Sequence, residues 1–337
     1  MAFTDVSQDP AALRRIFAGL GLADADEHVH AVPLTGGVSS GIFRVDLRSG
    51  RYCLKQALPR LKVAKVWEVP VERVFSEIAW LRIADRIVPG HVPRVLGQDD
   101  AAKCFVMPFL GADHRNWKAD LLAGRVDVRL AHEVGDVLGR IHAATADDAQ
   151  VARTFATDAN FHAIRLEPYL LEAARVNPGL AAALRRLADT TAGMRRVLVH
   201  GDVSPKNILA GPAGPVLLDA ECAWFGDPAF DLAFCLNHLL LKAVHLPLHA
   251  DALLAGFAAL ARAYLAHVAW EDAHGLEART AALLPGLALA RVDGKSPVEY
   301  LAEDRKPLVR QAAIALLRDA PATLQDLANR WKQLALA

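Results

Sequence analysis

Apolar residues recur along this chain at two different spacings, and the change from one to the other divides it. Near the start, Leu13, Ile16, Phe17 and Leu20 fall three and four apart, which predicts an amphipathic helix. Asp9 and Pro10 suit its cap and first position, and Gly19 and Gly21 its end. From His30 to Leu58 the period drops to two around a Gly-Gly and a Ser-Gly, predicting strand, turn, strand, turn, strand. Val71, Phe75, Ile78, Ala79 and Leu81 return to helical spacing over 71–87, and KCFVMPFL at 103–110 reads as a short strand closed by a proline.

From Gly111 onward the pattern stays helical. Val126, Leu130, Val134, Val137, Leu138 and Ile141 predict a long core helix. Further helices follow around Pro168 and Pro178, then over 228–245 and 248–271, and two amphipathic helices close the chain from 307. Between them, 288–301 (ALARVDGKSPVEYL) reads as a polar break, either a plain loop or the lip of a binding pocket. No repeats or low-complexity linkers interrupt the series. A sheet-forming N-terminal part and a helical C-terminal part make an α+β chain in two lobes, expected at 1–108 and 109–337.

The chain has 337 residues, enough for two lobes with a sizeable core. Hydrophobic residues are 53% and charged ones 23%, so a folded globular protein is expected. Lys plus Arg and Asp plus Glu balance at 38 each, which removes the basic field that recruits nucleic acid. The N-terminus lacks the order of a secretory signal, and the longest apolar stretches are broken by polar residues at helical spacing, so neither export nor a membrane span is expected. Cys53, Cys104, Cys222 and Cys235 stand singly in apolar segments with no metal-binding spacing, as in a reduced, cytoplasmic core.

Candidate chemistry concentrates at 198–233, LVHGDVSPKNILAGPAGPVLLDAECAWFGDPAFDLA. His200-Gly201-Asp202 is followed five positions later by Asn207, and the apolar run VLLD delivers Asp219 at its end. Asp and Asn are common in turns because their side chains bond nearby backbone, so one alone means little. Agreement at four positions is what carries weight.

That spacing resembles the H-x-D-x-x-x-x-N catalytic loop and metal-binding Asp of protein kinases. With Gly between His and Asp, LLDAE, and the closing GDPAFDLA, it is similar to the aminoglycoside phosphotransferase and choline kinase family of small-molecule kinases, from roughly residue 30 to 240. The resemblance implies a protein-kinase-like two-lobe fold and transfer of the ATP γ-phosphate to a small-molecule hydroxyl. Such chemistry needs a carboxylate for the attacking hydroxyl's proton and oxygen ligands for Mg²⁺. Asp202 suits the first role, and Asn207 and Asp219 the second. Asp231 corresponds to the family's buried brace of the catalytic loop. Lys206 could set a charge near the transferred phosphate, or be a solvated loop lysine. His142 reads as a hydrogen-bonded packing residue.

In the N-terminal part, the turn Gly36-Gly37-Val38-Ser39-Ser40-Gly41 falls where a nucleotide loop should be, with Gly36, Gly37, Ser39 and Ser40 offering backbone N–H groups and hydroxyls to phosphates. Gly-rich hairpins are ordinary, so its distance from the next lysine matters. The resemblance assigns that lysine, Lys55, to the α- and β-phosphates, paired with a helix glutamate, Glu77 before Glu72. Val106, Met107 and Phe109 resemble the hinge that pairs with adenine.

Contacts to the acceptor are expected from Glu221, Trp224, Asp227, Glu299 and Tyr300. The segment after Asp219 also resembles the methylthioribose kinase branch, and the HGDVSPKNIL loop the aminoglycoside form. No strongly acidic pocket for a polycationic drug is evident, which favours a metabolite such as a sugar or amino alcohol. The reading from another class is a kinase-like nucleotide-binding module without catalysis, for which one of the four key residues should be missing; none is.

Overall fold

In a computed structural model, residues 5–24, 26–34, 40–59 and 71–336 are described. The chain divides into two units, residues 1–114 and 115–337. Gly36, Gly37 and Ser39 of the expected nucleotide loop lie outside the described residues; Ser40 is buried at the first position of a strand.

The first unit opens with α1 (Pro10–Gly19), whose cap forms as its sequence demands: Asp9 Oδ1 accepts from the N–H groups of Ala11 and Ala12, each at 3.0 Å. Its apolar stripe packs Leu13, Ile16 and Phe17 into a core with Phe43, Val45, Leu54 and Val106. The strands are β1 (Ala31–Pro33), β2 (Ser40–Leu47), β3 (Gly50–Ala57), β4 (Gly97–Asp99) and β5 (Cys104–Pro108), with α2 (Arg73–Ile87) between β3 and β4 in sequence. They form an antiparallel sheet in the order β1-β2-β3-β5-β4. Because β3 is flanked on both edges, every residue from Tyr52 to Ala57 is buried, Lys55 included. A lysine there must find an anion, since an isolated buried charge is costly.

In the second unit, β6 (Arg115–Asn116) leads into α3 (Trp117–Leu122) and α4 (Val128–Thr145), the long helix predicted around Leu130 to Ile141. Next come α5 (Ala149–Thr154), α6 (Asp158–Phe161), a π-helical stretch over His162–Leu171 that contains Pro168, α7 (Glu172–Val176) and α8 (Ala181–Gly193). Two β-ribbons follow: β7 (Val197–Val199) pairs with β10 (Trp224–Gly226), and β8 (Ile208–Gly211) lies between β6 and β9 (Gly214–Leu217). Then come α9 (Pro228–His245), α10 (Ala250–Leu265), α11 (Ala273–Asp293), α12 (Lys306–Arg318) and α13 (Leu324–Ala335).

All residues of α9 from Pro228 to Val244 are buried. A helix covered on every side is the centre of its bundle, so polar groups on it are there at a cost and need a reason. Close approach of α4 and α10 requires Gly135, where a Cβ would lie 2.2 Å from the carbonyl oxygen of Leu260.

One expected element is corrected. The polar break placed at 288–301 starts only at Gly294, because α11 runs on to Asp293. Asp293 is absorbed by neighbours: it pairs with Arg310 at 2.7 Å and accepts from Asn177 at 3.1 Å. Among the described residues no helix is long and apolar enough to cross a membrane. All four cysteines are free and buried.

Candidate active site

The loop between β7 and β8 carries His200, Asp202 and Asn207, and its shape is set from beneath. Asp231, fully buried in the first turn of α9, accepts from the N–H of His200 at 2.6 Å and of Gly201 at 2.8 Å. Its Oδ2 also faces His142 Nε2 at 3.3 Å, and His142 Nδ1 meets the Tyr264 hydroxyl at 2.7 Å. His142 is therefore a hydrogen-bonded packing residue. Gly201 has φ +79°, and a Cβ there would sit 2.5 Å from the carbonyl oxygen of Cys222, so the residue between His200 and Asp202 must be glycine.

His200 turns inward. Its Nδ1 accepts from the N–H of Asp202 at 3.1 Å, which leaves Nε2 to donate to the carbonyl oxygen of Leu218 at 3.1 Å. Burial pushes its pKa down despite nearby Asp231, Asp202 and Asp219. It is a neutral strut tying the Asp202 loop to the chain entering Asp219.

Asp202 is the convergence point. Its Oδ2 accepts from Asn207 Nδ2 at 2.8 Å and lies 3.0 Å from Arg165 Nη2 and 3.1 Å from Lys206 Nζ. Burial alone would raise its pKa; the Arg165 guanidinium and then the Lys206 ammonium outweigh it and hold the carboxyl below the usual carboxylate range. Asp202 is thus ionised at neutral pH. Lys206 sits at that carboxylate with its side chain half exposed.

Asn207 spends its amide nitrogen on Asp202, on both the backbone oxygen and the carboxylate. Its amide oxygen is not used in those two bonds. Asp219 stands just past β9, partly exposed, with φ +70°. Asp tolerates that left-handed conformation better than most residues. Its charge acts on His200, Asp202 and Lys206 alike. Among the described residues there is no group of three or more His, Cys, Asp or Glu that could hold a metal ion. An amide oxygen and one carboxylate fit the sparse protein ligation that Mg²⁺ accepts when phosphates and water complete its shell.

In the first unit Lys55 Nζ donates to Glu77 Oε1 at 2.7 Å, both side chains almost fully buried. Glu72, the other candidate, is mostly exposed and 3.9 Å from Lys103. Of the expected hinge residues, Val106 is buried with its carbonyl accepting from the N–H of Leu96 at 2.8 Å, and the N–H of Phe109 donates to the carbonyl of Arg51 at 3.1 Å. Neither of those groups is spare for a base. Met107 is partly exposed near the end of β5.

Two acceptor candidates turn out to be architectural. Trp224 is 1% exposed, stacks on Phe161 with centroids 4.3 Å apart, and donates its indole N–H to Asp158 at 2.8 Å. Asp227 caps α9 by accepting from the N–H of Ala229 at 3.0 Å and pairs with Arg279 at 3.0 Å. Neither has a face left for a ligand. Glu221 is partly exposed; Glu299 is exposed and paired with Lys118; Tyr300 is partly buried beside Lys242.

Arg165 was missed by the sequence reading. It lies 37 positions before Asp202 on the π-helical stretch, where no fixed spacing betrays it. Besides Asp202 it donates to the carbonyls of Gly201 and of Ile164. An arginine between the buried Ile164 and Leu166 was the available signal.

The family model of the phosphotransferase enzyme family matches residues 30–266. The chain is 27% identical over 272 residues to the methylthioribose kinase of Klebsiella pneumoniae, covering 72% of this chain and 67% of that protein, and so spans about two thirds of that relative. Among solved structures, an ethanolamine kinase of Plasmodium vivax superposes with TM-score 0.54 at 11% identity, covering 96% of this chain and 85% of that one. A choline/ethanolamine kinase family protein of Mesorhizobium loti gives TM-score 0.50 at 17% identity, covering 96% and 98%. At such identities the structures speak for the fold alone, and it is the two-lobe α+β, kinase-like one expected from the sequence.

Proposed function

The chain belongs to the phosphotransferase enzyme family, and from that premise we propose that it transfers the γ-phosphate of ATP to a hydroxyl of a small molecule. The observation that carries this reading is the Asp202 carboxylate, kept ionised by Arg165 and Lys206 on a loop clamped by Asp231. In the transfer, the acceptor oxygen forms a bond to the γ-phosphorus, the bond from that phosphorus to the β–γ bridging oxygen breaks, and the hydroxyl proton passes to Asp202 as ADP leaves. A carboxylate with a depressed pKa is a weak base toward a free alcohol. Its first task is therefore to orient the hydroxyl, and proton transfer comes late, as a loose phosphoryl transition state allows.

Asn207 and Asp219 would hold Mg²⁺, which when bound supplies charge neutralisation for the phosphates. Lys206 would add positive charge near the transferred group. Lys55, oriented by Glu77, would contact the α- and β-phosphates, with the glycine-rich turn and the backbone near Met107 completing the nucleotide site in residues 1–108. Residues 109–337 would supply catalysis and acceptor binding. Free, buried cysteines accord with a cytoplasmic setting. Similarity to methylthioribose kinase supports a sugar hydroxyl as one acceptor.

The experiment is acceptor-dependent ADP release from ATP in the presence of Mg²⁺. A chain that binds ATP but releases no ADP with any acceptor would be a non-catalytic nucleotide-binding module. Two substitutions refine the reading. Lys55→Met should weaken ATP binding about 10- to 100-fold, the worth of a charge-assisted contact; unchanged ATP affinity by calorimetry would remove Lys55 from the site. Arg165→Met should act through Asp202. The native carboxyl is active above its depressed pKa and loses activity only as pH falls through it. Without the guanidinium, burial dominates and the pKa rises, so the acid limb of kcat should move toward neutrality. A pH–rate profile with an unmoved acid limb would contradict this.

A further inference from the structure

Resting on that reading, we infer that the acceptor is an anion: a hydroxyl compound whose carboxylate or phosphate group is received by Lys242 and Arg291. Lys242 projects from α9, the most enclosed helix of its unit, and is 1% exposed. Among the described residues it has no carboxylate partner, and its single hydrogen bond is to the Tyr300 hydroxyl at 3.5 Å, with the ammonium 4.6 Å from that ring's centroid. Arg291, 9% exposed, is bonded only to neutral oxygens, those of Tyr169 at 3.3 Å and of Ser296, and its buried Nε has no partner. Lys118 lies 6.0 Å from the same Tyr300 ring and is paired with the exposed Glu299. Three basic side chains thus gather beside one exposed acid. A buried ammonium without an anion is costly.

The cluster adjoins the catalytic carboxylate. Arg165, bound to Asp202, lies 5.9 Å from the Tyr169 ring centroid, and Arg291 lies 5.7 Å from that same centroid. Along α9, Phe234 and His238 (centroids 5.5 Å apart) lead from Arg165 to Lys242. Burial first, then repulsion from Lys118 and Arg291, brings Lys242 down to about 7. Burial and the cations Lys242, Arg291, Lys206 and Lys118 push His238 well below its ordinary value. An anionic group entering here relieves the repulsion, while a polycationic or quaternary-ammonium acceptor adds to it.

The test uses the full chain with ATP and Mg²⁺ and matched acceptors: glycerol against glycerate, ribose against ribose 5-phosphate, and choline as the cation. The carboxylate and phosphate arms separate the two sources of negative charge. At least one anionic member should exceed its neutral partner in kcat/KM by about tenfold or more. Lys242→Met should erase that advantage, mainly through KM, and should raise Tm in the absence of acceptor, because a buried basic group with no anion beside it is gone. Lys118→Gln, at the partly exposed edge, should act in the same direction by a smaller factor. Preference for glycerol, ribose or choline, silence of both anionic members, or an anionic KM untouched by Lys242→Met overturns the inference. Turnover of a neutral or cationic member would leave the kinase reading standing in that event. Absence of ADP release from every member, together with no ATP-dependent rise in Tm, would sink that reading as well.

Discussion

Asp202→Asn is expected to lower kcat by about 10²- to 10⁴-fold, the range for a positioned proton acceptor, while ATP still raises the Tm of the variant. The substitution preserves shape and retains one oxygen that can accept from Asn207, so the 2.8 Å contact that fixes the Asn207 amide has a replacement. What disappears is the negative charge. On the proposed mechanism the incoming hydroxyl then loses both the acceptor that aligns it and the group that takes its proton. Arg165 and Lys206 are left without their anion, and the buried Arg165 will cost stability. The ATP-dependent Tm shift therefore serves as the control that the fold survives. Steady-state ADP release and calorimetric ATP binding on the same preparation decide the matter: a kcat within about tenfold of the parent would remove Asp202 from the reaction.

The site was legible in the sequence where chemistry and local geometry coincide. Lys55 stands in an apolar strand and Glu77 on a helix whose neighbours are buried, so each needed the other, and the 2.7 Å pair follows. Asp202, Asn207 and Asp219 are linked by one short loop and one hairpin, so their spacing in the chain carries over into space. Arg165 and Lys242 obey no such link. Each is a lone cation in an apolar helical run, a pattern shared with surface residues that bury only their stems; the bundle alone reveals that both are enclosed. The converse error befell Trp224 and Asp227. Both were expected to meet the acceptor, but a tryptophan on a two-stranded ribbon and an aspartate opening a central helix are claimed by packing and capping. The overrun of α11 to Asp293 has the same cause: polar residues announce a loop unless, like Asp293 with Arg310 and Asn177, they have partners across the bundle.

Asp231→Asn should destabilise the chain more than any other isosteric change at the site. The native carboxylate accepts two backbone N–H groups, from His200 at 2.6 Å and Gly201 at 2.8 Å, and faces His142, all in a fully buried setting. An amide offers a single oxygen, so its NH₂ must point at one of those donors. One buried N–H is left facing another donor, and the charge-assisted character of both bonds is lost. Breaking one side of such a buried network costs about 3–5 kcal/mol, which for a chain of this size lowers Tm by about 10 °C. The loss should reach catalysis as well. Gly201 is held at φ +79° by this clamp, and once it loosens, Asp202 no longer meets Arg165 and Asn207 in one arrangement. Measured well below the lowered Tm, where the variant is folded, kcat should still fall by about tenfold or more. A Tm within about 2 °C of the parent, with kcat unchanged, would mean that the loop keeps its shape without Asp231 and that the clamp is not what positions the Asp202 carboxylate.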